Sequence, residues 1–266
     1  QFPSYPHAPQ AQRTLGATLH RLWTHAGTRI GAATGAPVTA GLLAAVLMPR
    51  GPVTATQALV LMALGLLTGI AVGFILRSRW AMLLAPVIFV AAFELGRLGE
   101  VGPTVDTPQL TSTFGIIAFV AGRGVTFALA VLPMLLGVLW GKALANALSG
   151  EMPHHHGSGF AIRRGFAGLS TITLAALAVW IALPPTVPPV LDADGKEVAG
   201  SISELVQVDI GGNQQWIELR GADPDNPVLL YISGGPGQSD LALSRALLQP
   251  LEADFTLALW DQRGNG

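Results

Sequence analysis

The stretch Val228–Gly237, VLLYISGGPG, decides how the C-terminal part of this chain is read. Five aliphatic, β-branched or aromatic residues run into a serine and then a turn of glycines and proline. That is the form of a short buried strand delivering a backbone loop to a site. Gly234 and Gly235 lack a Cβ, so they reach positive φ and can turn their N–H groups into a cleft. Pro236 stiffens the exit, and Gly237 opens the next element. Donors arranged in this way suit an oxyanion. Further on, Phe255–Gly266 (FTLALWDQRGNG) repeats the plan: an apolar strand breaks into an acidic, basic and glycine-rich loop.

SGGPG followed at this distance by WDQRGNG resembles the proline iminopeptidase branch of the α/β-hydrolases, whose motifs are usually written HGGPG and DQRG-x-G. The resemblance covers about residues 204–266, and Ser233 stands where the family generally has histidine. It implies the N-terminal part of an α/β-hydrolase domain acting on a small peptide or other small acyl substrate, with no cofactor. Gly234 and Gly235 would give one half of an oxyanion hole, where losing one donor costs about 3–4 kcal/mol of transition-state stabilisation. Ser233, Pro236, Gly237, Asp261, Gln262, Arg263 and Gly264 would support that loop, with Asp261 and Arg263 tying neighbouring loops by charge-assisted hydrogen bonds. Family members carry the nucleophile on a G-x-S-x-G elbow, with an acid and a histidine later; no such elbow occurs in these 266 residues. The absent elbow, the opening at Gln1 and a glycine motif running to Gly266 predict a piece of a longer protein, with nucleophile, acid and histidine elsewhere. Ser233, Ser239 and Ser244 are poor nucleophile candidates because none sits in an elbow and none has an available histidine.

Outward from this stretch the composition changes the picture. Half of the residues are hydrophobic, only 12% are charged, and mean hydropathy is +0.50. Soluble domains carry about twice that charge. The class is therefore a membrane protein, and a net charge of −1 gives no support for a nucleic-acid partner. The absence of cysteine excludes disulfides, thiolate zinc sites and a cysteine nucleophile.

Residues 1–30 read as a cytoplasmic lead-in. Apolar segments at about 31–49, 57–76, 80–98, 114–140 and 165–184 are near or above the roughly 18–20 residues that cross the hydrocarbon, so the region 31–184 predicts an α-helical transmembrane bundle of five spans in the lipid bilayer. Arg13, Arg21, Arg29, Arg77, Arg79, Lys142, Arg163 and Arg164 fall on one side; Arg50 and Arg97 fall in the short loops of the other. This asymmetry places the amino terminus in the cytoplasm. Five crossings then place the hydrolase domain outside it.

Within the second segment Gly65, Gly69 and Gly73 form a four-residue stripe for close helix approach, either inside the chain or with a second copy. Glu94 and Arg123 are charges inside spans, costly unless paired or functional. They can pair with each other; Arg97 is a competing partner, and Arg123 could instead mark a break between two shorter segments. His154, His155 and His156 are adjacent, so they cannot converge on one metal, and no metal site is expected.

PPTVPPV opens a stiff proline linker over 185–202. From Ser203 the pattern changes to period two, and ELVQVDI and QQWIELR around Gly211-Gly212-Asn213 predict a β-hairpin. After VLLYIS a helix over about 239–253 leads to the second buried strand. Two functions follow from these readings. One is a membrane-anchored serine hydrolase, an aminopeptidase of the proline iminopeptidase type. The other is a noncatalytic membrane protein for transport or sensing with an outer α/β binding domain.

Overall fold

A computed structural model gives the fold and describes residues 26–48, 53–98, 110–149, 158–233 and 239–262. Expectations for 1–25 and for His154–His156 fall outside those residues. The chain divides into two compact units, one of 1–48, 57–99 and 125–180, the other of 49–56, 100–124 and 181–266.

Five helices lie where the apolar segments predict them: α1 (Ala26–Leu47), α2 (Ala55–Leu76), α3 (Ala81–Gly96), α4 (Thr113–Leu148) and α5 (Ser158–Ala182). Four are long and apolar enough to cross a membrane: α1, α2, Gly115–Leu148 of α4 and Arg164–Ala182 of α5. The other, α3, has 16 residues. At 1.5 Å per residue it spans about 24 Å, short of a hydrocarbon core of about 30 Å. Among the described residues, four helices are thus long and apolar enough to cross where five were expected. The fourth helix also exceeds its expected end at residue 140 and carries Lys142 within it. It is continuous through Arg123, so that residue marks no break.

The glycine stripe has its partner in the same chain. A Cβ added at Gly65, Gly69 or Gly73 would collide with the backbone carbonyl oxygens of Ala130, Met134 and Val138 in α4. One on Gly137 or Gly141 would meet the carbonyls of Leu66 and Ile70 in α2. The two backbones therefore touch along several turns, which small residues alone permit. α1 meets α3 in the same manner: a Cβ on Gly41 would lie 2.5 Å from the Phe89 carbonyl oxygen. Arg29 of α1 donates to the carbonyls of Ile75 (3.2 Å) and Leu76 (3.3 Å), satisfying orphan acceptors at the end of α2.

The second unit holds a four-stranded mixed sheet. β1 (Ile202–Ile210) and β2 (Asn213–Gly221) form the predicted hairpin, pairing Ile210 with Asn213 across a two-residue turn. Gly211 (φ 65°) and Gly212 (φ 77°) take the positive φ that such a turn needs. Strand order is β1-β2-β4-β3, with β4 (Thr256–Asp261) antiparallel to β2 and parallel to β3 (Val228–Ile232). β4 is covered on both faces, and Leu257 and Leu259 have no exposed surface. The expected helix between β3 and β4 arrives as α6 (Leu241–Leu248) plus a 3-10 turn, Gln249–Ala253, where Pro250 removes the N–H that another α-turn would use.

The proline segment is bound to the sheet from Pro188 onward. Ser203 donates to the Pro188 carbonyl at 2.8 Å, and the Arg220 guanidinium donates to the carbonyls of Pro188 and Pro189. Val190 is buried, and Leu191 bridges Glu197.

Candidate functional site

The two motif-bearing strands lie side by side, and their carboxyl ends point the same way. In open α/β sheets that end is where ligands bind. Ser233 prolongs the ladder by one bond, its N–H donating to the Trp260 carbonyl at 3.2 Å. Gln262 then donates from Nε2 to the Ser233 carbonyl at 2.9 Å, tying the end of β4 to the end of β3. Ser233 and Asp261 are buried, at 4% and 3% exposure.

Asp240 occupies the N-cap position of α6, yet its side chain makes no capping hydrogen bond. It faces the strand end instead. Tyr231 donates its hydroxyl to Asp240 Oδ2 at 3.0 Å, and Ser233 donates Oγ–H to Asp240 Oδ1 in a short bond. An N-cap aspartate ordinarily accepts from its own helix, an interaction worth about 1 kcal/mol.

Asp261 completes the group. Its Oδ1 atom is buried and has no hydrogen-bond partner. Burial pushes its carboxyl above the ordinary value of 3.8; the Ser239 hydroxyl opposes this, the neighbouring Asp240 charge adds to it, and the Ser233 hydroxyl opposes it. A serine has one hydroxyl proton to give. That of Ser233 is committed to Asp240, so Asp261 is poorly compensated as an anion.

Of the sequence-predicted residues, the structure brings Ser233, Asp261 and Gln262 together. Gly234, Gly235, Pro236, Gly237, Arg263 and Gly264 lie outside the described residues. Glu94 stands in the last turn of α3, and Arg97, next to the helix end, is buried with its guanidinium carbon 5.0 Å from the Phe93 ring centre. Arg123 is buried within α4, 5.5 Å from the Phe119 ring centre. Sequence reasoning missed Asp240 and Tyr231. The signal was an aspartate just before an apolar helix, which reads as a plain N-cap.

In a comparison with curated proteins, 66 residues of this chain are 39% identical to one named "Probable aminopeptidase YbaC" of Bacillus subtilis (strain 168). This chain is similar to part of a peptidase-like protein. The matched residues are 25% of this chain and 21% of that relative, so the chain spans about a fifth of its length. No family model matches the chain, and no solved structure matches it.

Proposed function

We propose that this chain belongs to a membrane-anchored serine hydrolase of the α/β fold, an aminopeptidase of the proline iminopeptidase type acting on small peptides outside the cytoplasm. The identity with a probable aminopeptidase carries this reading. The geometry supports it, because the ends of two parallel strands, the starts of the GGPG and QRGNG runs, are held together through Gln262 and Ser233. Backbone N–H groups of Gly234 and Gly235 would then face the carbonyl oxygen on which negative charge develops. Asp261, buried and poorly compensated, is a structural group here; the catalytic acid, the nucleophile and the histidine are supplied by other parts of the protein.

Labelling the full-length gene product with a serine-reactive fluorophosphonate tests the proposal. A single labelled serine on a G-x-S-x-G turn, lost on Ser-to-Ala replacement there, together with release of an amino-terminal residue from a short peptide, supports it. Absence of both labelling and peptide hydrolysis in a folded product overturns it. A reporter fused after Pro185 tests sidedness: activity confined to the cytoplasm would overturn the placement of the hydrolase domain outside it.

A further inference from the structure

The helical part gathers positive charge at one end. No aspartate or glutamate occurs before Glu94, while Arg13, Arg21, Arg29, Arg50, Arg77 and Arg79 all precede it. The contacts of Gly65, Gly69 and Gly73 with Ala130, Met134 and Val138 advance together, so α2 and α4 run parallel, and one more turn sets Lys142 opposite Arg77. Arg29 of α1 reaches the same level, because its guanidinium donates to the Ile75 and Leu76 carbonyls. Arg79 follows just after α2, in the turn before α3. Four cations thus meet where α1 begins and α2 ends, beside α4. Among the described residues of this unit the one carboxylate is Glu94, in the last turn of α3 and about 20 Å along that helix from its start.

Helix ends call for cations, but they engage only part of this set. Arg29 satisfies carbonyls of α2, and Arg77 donates to the Ser149 hydroxyl, which joins the ends of α2 and α4. Arg77 also takes a φ of 51°, the left-handed conformation in which glycine usually closes a helix, so a cation is kept there against backbone preference. Arg79 and Lys142 make no hydrogen bond or ion pair with a described residue. Arg79 is exposed, and the half-buried Lys142 can carry its ammonium outward on its aliphatic stem. Next to Arg79 the surface turns apolar: Trp80, Leu83 and Val87 are 75%, 60% and 57% exposed, at helical spacing along one side of α3. Tryptophan at such a boundary suits the depth of lipid headgroups. Cations above an apolar stripe match the two parts of a phospholipid, whereas a soluble anion needs only the first.

We propose that the joined ends of α1, α2 and α4 bind the phosphate of an anionic phospholipid, held by Arg79 and Lys142 above an acyl-chain stripe of Trp80, Leu83 and Val87. The arginine offers a planar fork that fits phosphate oxygens, and the lysine a mobile point charge. Arg29 and Arg77 add to the potential at that end while keeping the helix ends together. The site rests on these helices lying in a bilayer and not on the aminopeptidase reading.

Native mass spectrometry of the detergent-solubilised full-length protein, titrated with phosphatidylglycerol or phosphatidylcholine, tests the site. The wild type should hold its first phosphatidylglycerol several-fold more tightly than phosphatidylcholine. A cation near a lipid surface contributes about fivefold in affinity. Arg79→Gln and Lys142→Gln should therefore each lower the first phosphatidylglycerol binding constant by about that factor and leave phosphatidylcholine binding alone. Arg79→Lys keeps the charge and should retain most of the preference, while Trp80→Ser should weaken both lipids alike. Arg79 is exposed, so its variants keep the proposal falsifiable if Lys142→Gln fails to fold. Equal wild-type affinity for the two lipids, or unchanged phosphatidylglycerol binding in both charge variants, overturns the site, and the cations then serve helix ends alone. Displacement of the lipid by an equal concentration of inorganic phosphate would mean a soluble anion and overturns the lipid assignment. A full-length product that stays in solution when membranes are removed overturns the bilayer premise and the site with it. Failure to hydrolyse peptides, by contrast, sinks the aminopeptidase reading while the lipid titration still decides this one.

Discussion

The helical part and the sheet part solve packing by opposite means. Where α2 meets α4, backbone lies on backbone: Gly65, Gly69 and Gly73 admit the carbonyls of α4, and Gly137 and Gly141 return the arrangement. In the sheet part, space is filled by apolar residues of β4 and by paired charges, the buried Arg220 with Glu252 at 2.7 Å and the part-exposed Arg245 with the buried Glu218 at 3.1 Å. The solvent explains the contrast. The helices are long and apolar enough to cross a membrane, and lipid would give no hydrophobic drive between them, so close van der Waals approach would have to hold them. In water, burial of the apolar residues of β4 is itself favourable, and it can offset the cost of one desolvated pair, Arg220–Glu252, and one half-open pair, Arg245–Glu218.

The sharpest way to break the comparison is Gly69→Leu. A Cβ there would overlap the Met134 carbonyl, and backbone cannot move aside as a side-chain end can. Overpacking of this kind typically costs about 1–3 kcal/mol, and more where backbone is the obstacle. The detergent-solubilised variant should lose its helical thermal transition or aggregate on size-exclusion chromatography, while hydrogen exchange in β2 and β4 stays at the wild-type level. Retained helical stability would show that the stripe is not what holds α2 to α4.

Next in size is the Arg220–Glu252 pair, both side chains 4% exposed. Glu252→Ala leaves a buried guanidinium and should destabilise the sheet part by about 3–5 kcal/mol, whereas the double change Arg220→Met, Glu252→Leu should restore most of it. Urea unfolding followed by the fluorescence of Trp216 and Trp260 reads both. Arg220 also holds the carbonyls of Pro188 and Pro189, so Glu252→Ala should in addition free the segment 186–191 to proteolysis. Unchanged cleavage there would mean that the proline segment is held by Ser203 and Val190 alone. Arg245→Met is milder, since Arg245 is 28% exposed; a loss of about 1–3 kcal/mol is expected from leaving Glu218 without its donor.

How much of this was legible in the sequence follows from the same contrast. Helix positions were readable from long apolar runs, because a span must satisfy its backbone internally and betrays itself by length. The hairpin was readable from Gly211-Gly212, whose positive φ glycine reaches more readily than residues that carry a Cβ. The shortness of α3 was not: its apolar run continues through Arg97 and Leu98, which hydropathy counts but the helix does not include. Ser233, Asp261 and Gln262 could be named because they adjoin glycine motifs. Asp240 could not, since only the fold reveals that an N-cap side chain has turned away from its helix.

The smallest effect concerns Asp261, the one carboxylate in the sheet part buried without a cationic partner among the described residues. Its folded-state pKa lies above the ordinary 3.8, chiefly through burial. Below pH 3.8 both folded and unfolded chains hold the proton, and the neutral carboxyl is buried at little cost. As pH rises past that value the unfolded chain ionises first, so stability is lost progressively until the folded-state pKa is passed, and the deficit then persists. Asp261→Asn cannot ionise, and its amide can still meet Ser239. The variant should therefore unfold at a higher temperature than the wild type at neutral pH, with the gap narrowing as pH is lowered toward 3.8. Melting curves of the two proteins at several pH values decide it. A wild type more stable at neutral pH, with its advantage fading in acid, would mean that Asp261 is held as a carboxylate by donors, and that the sheet part pairs all of its buried charges.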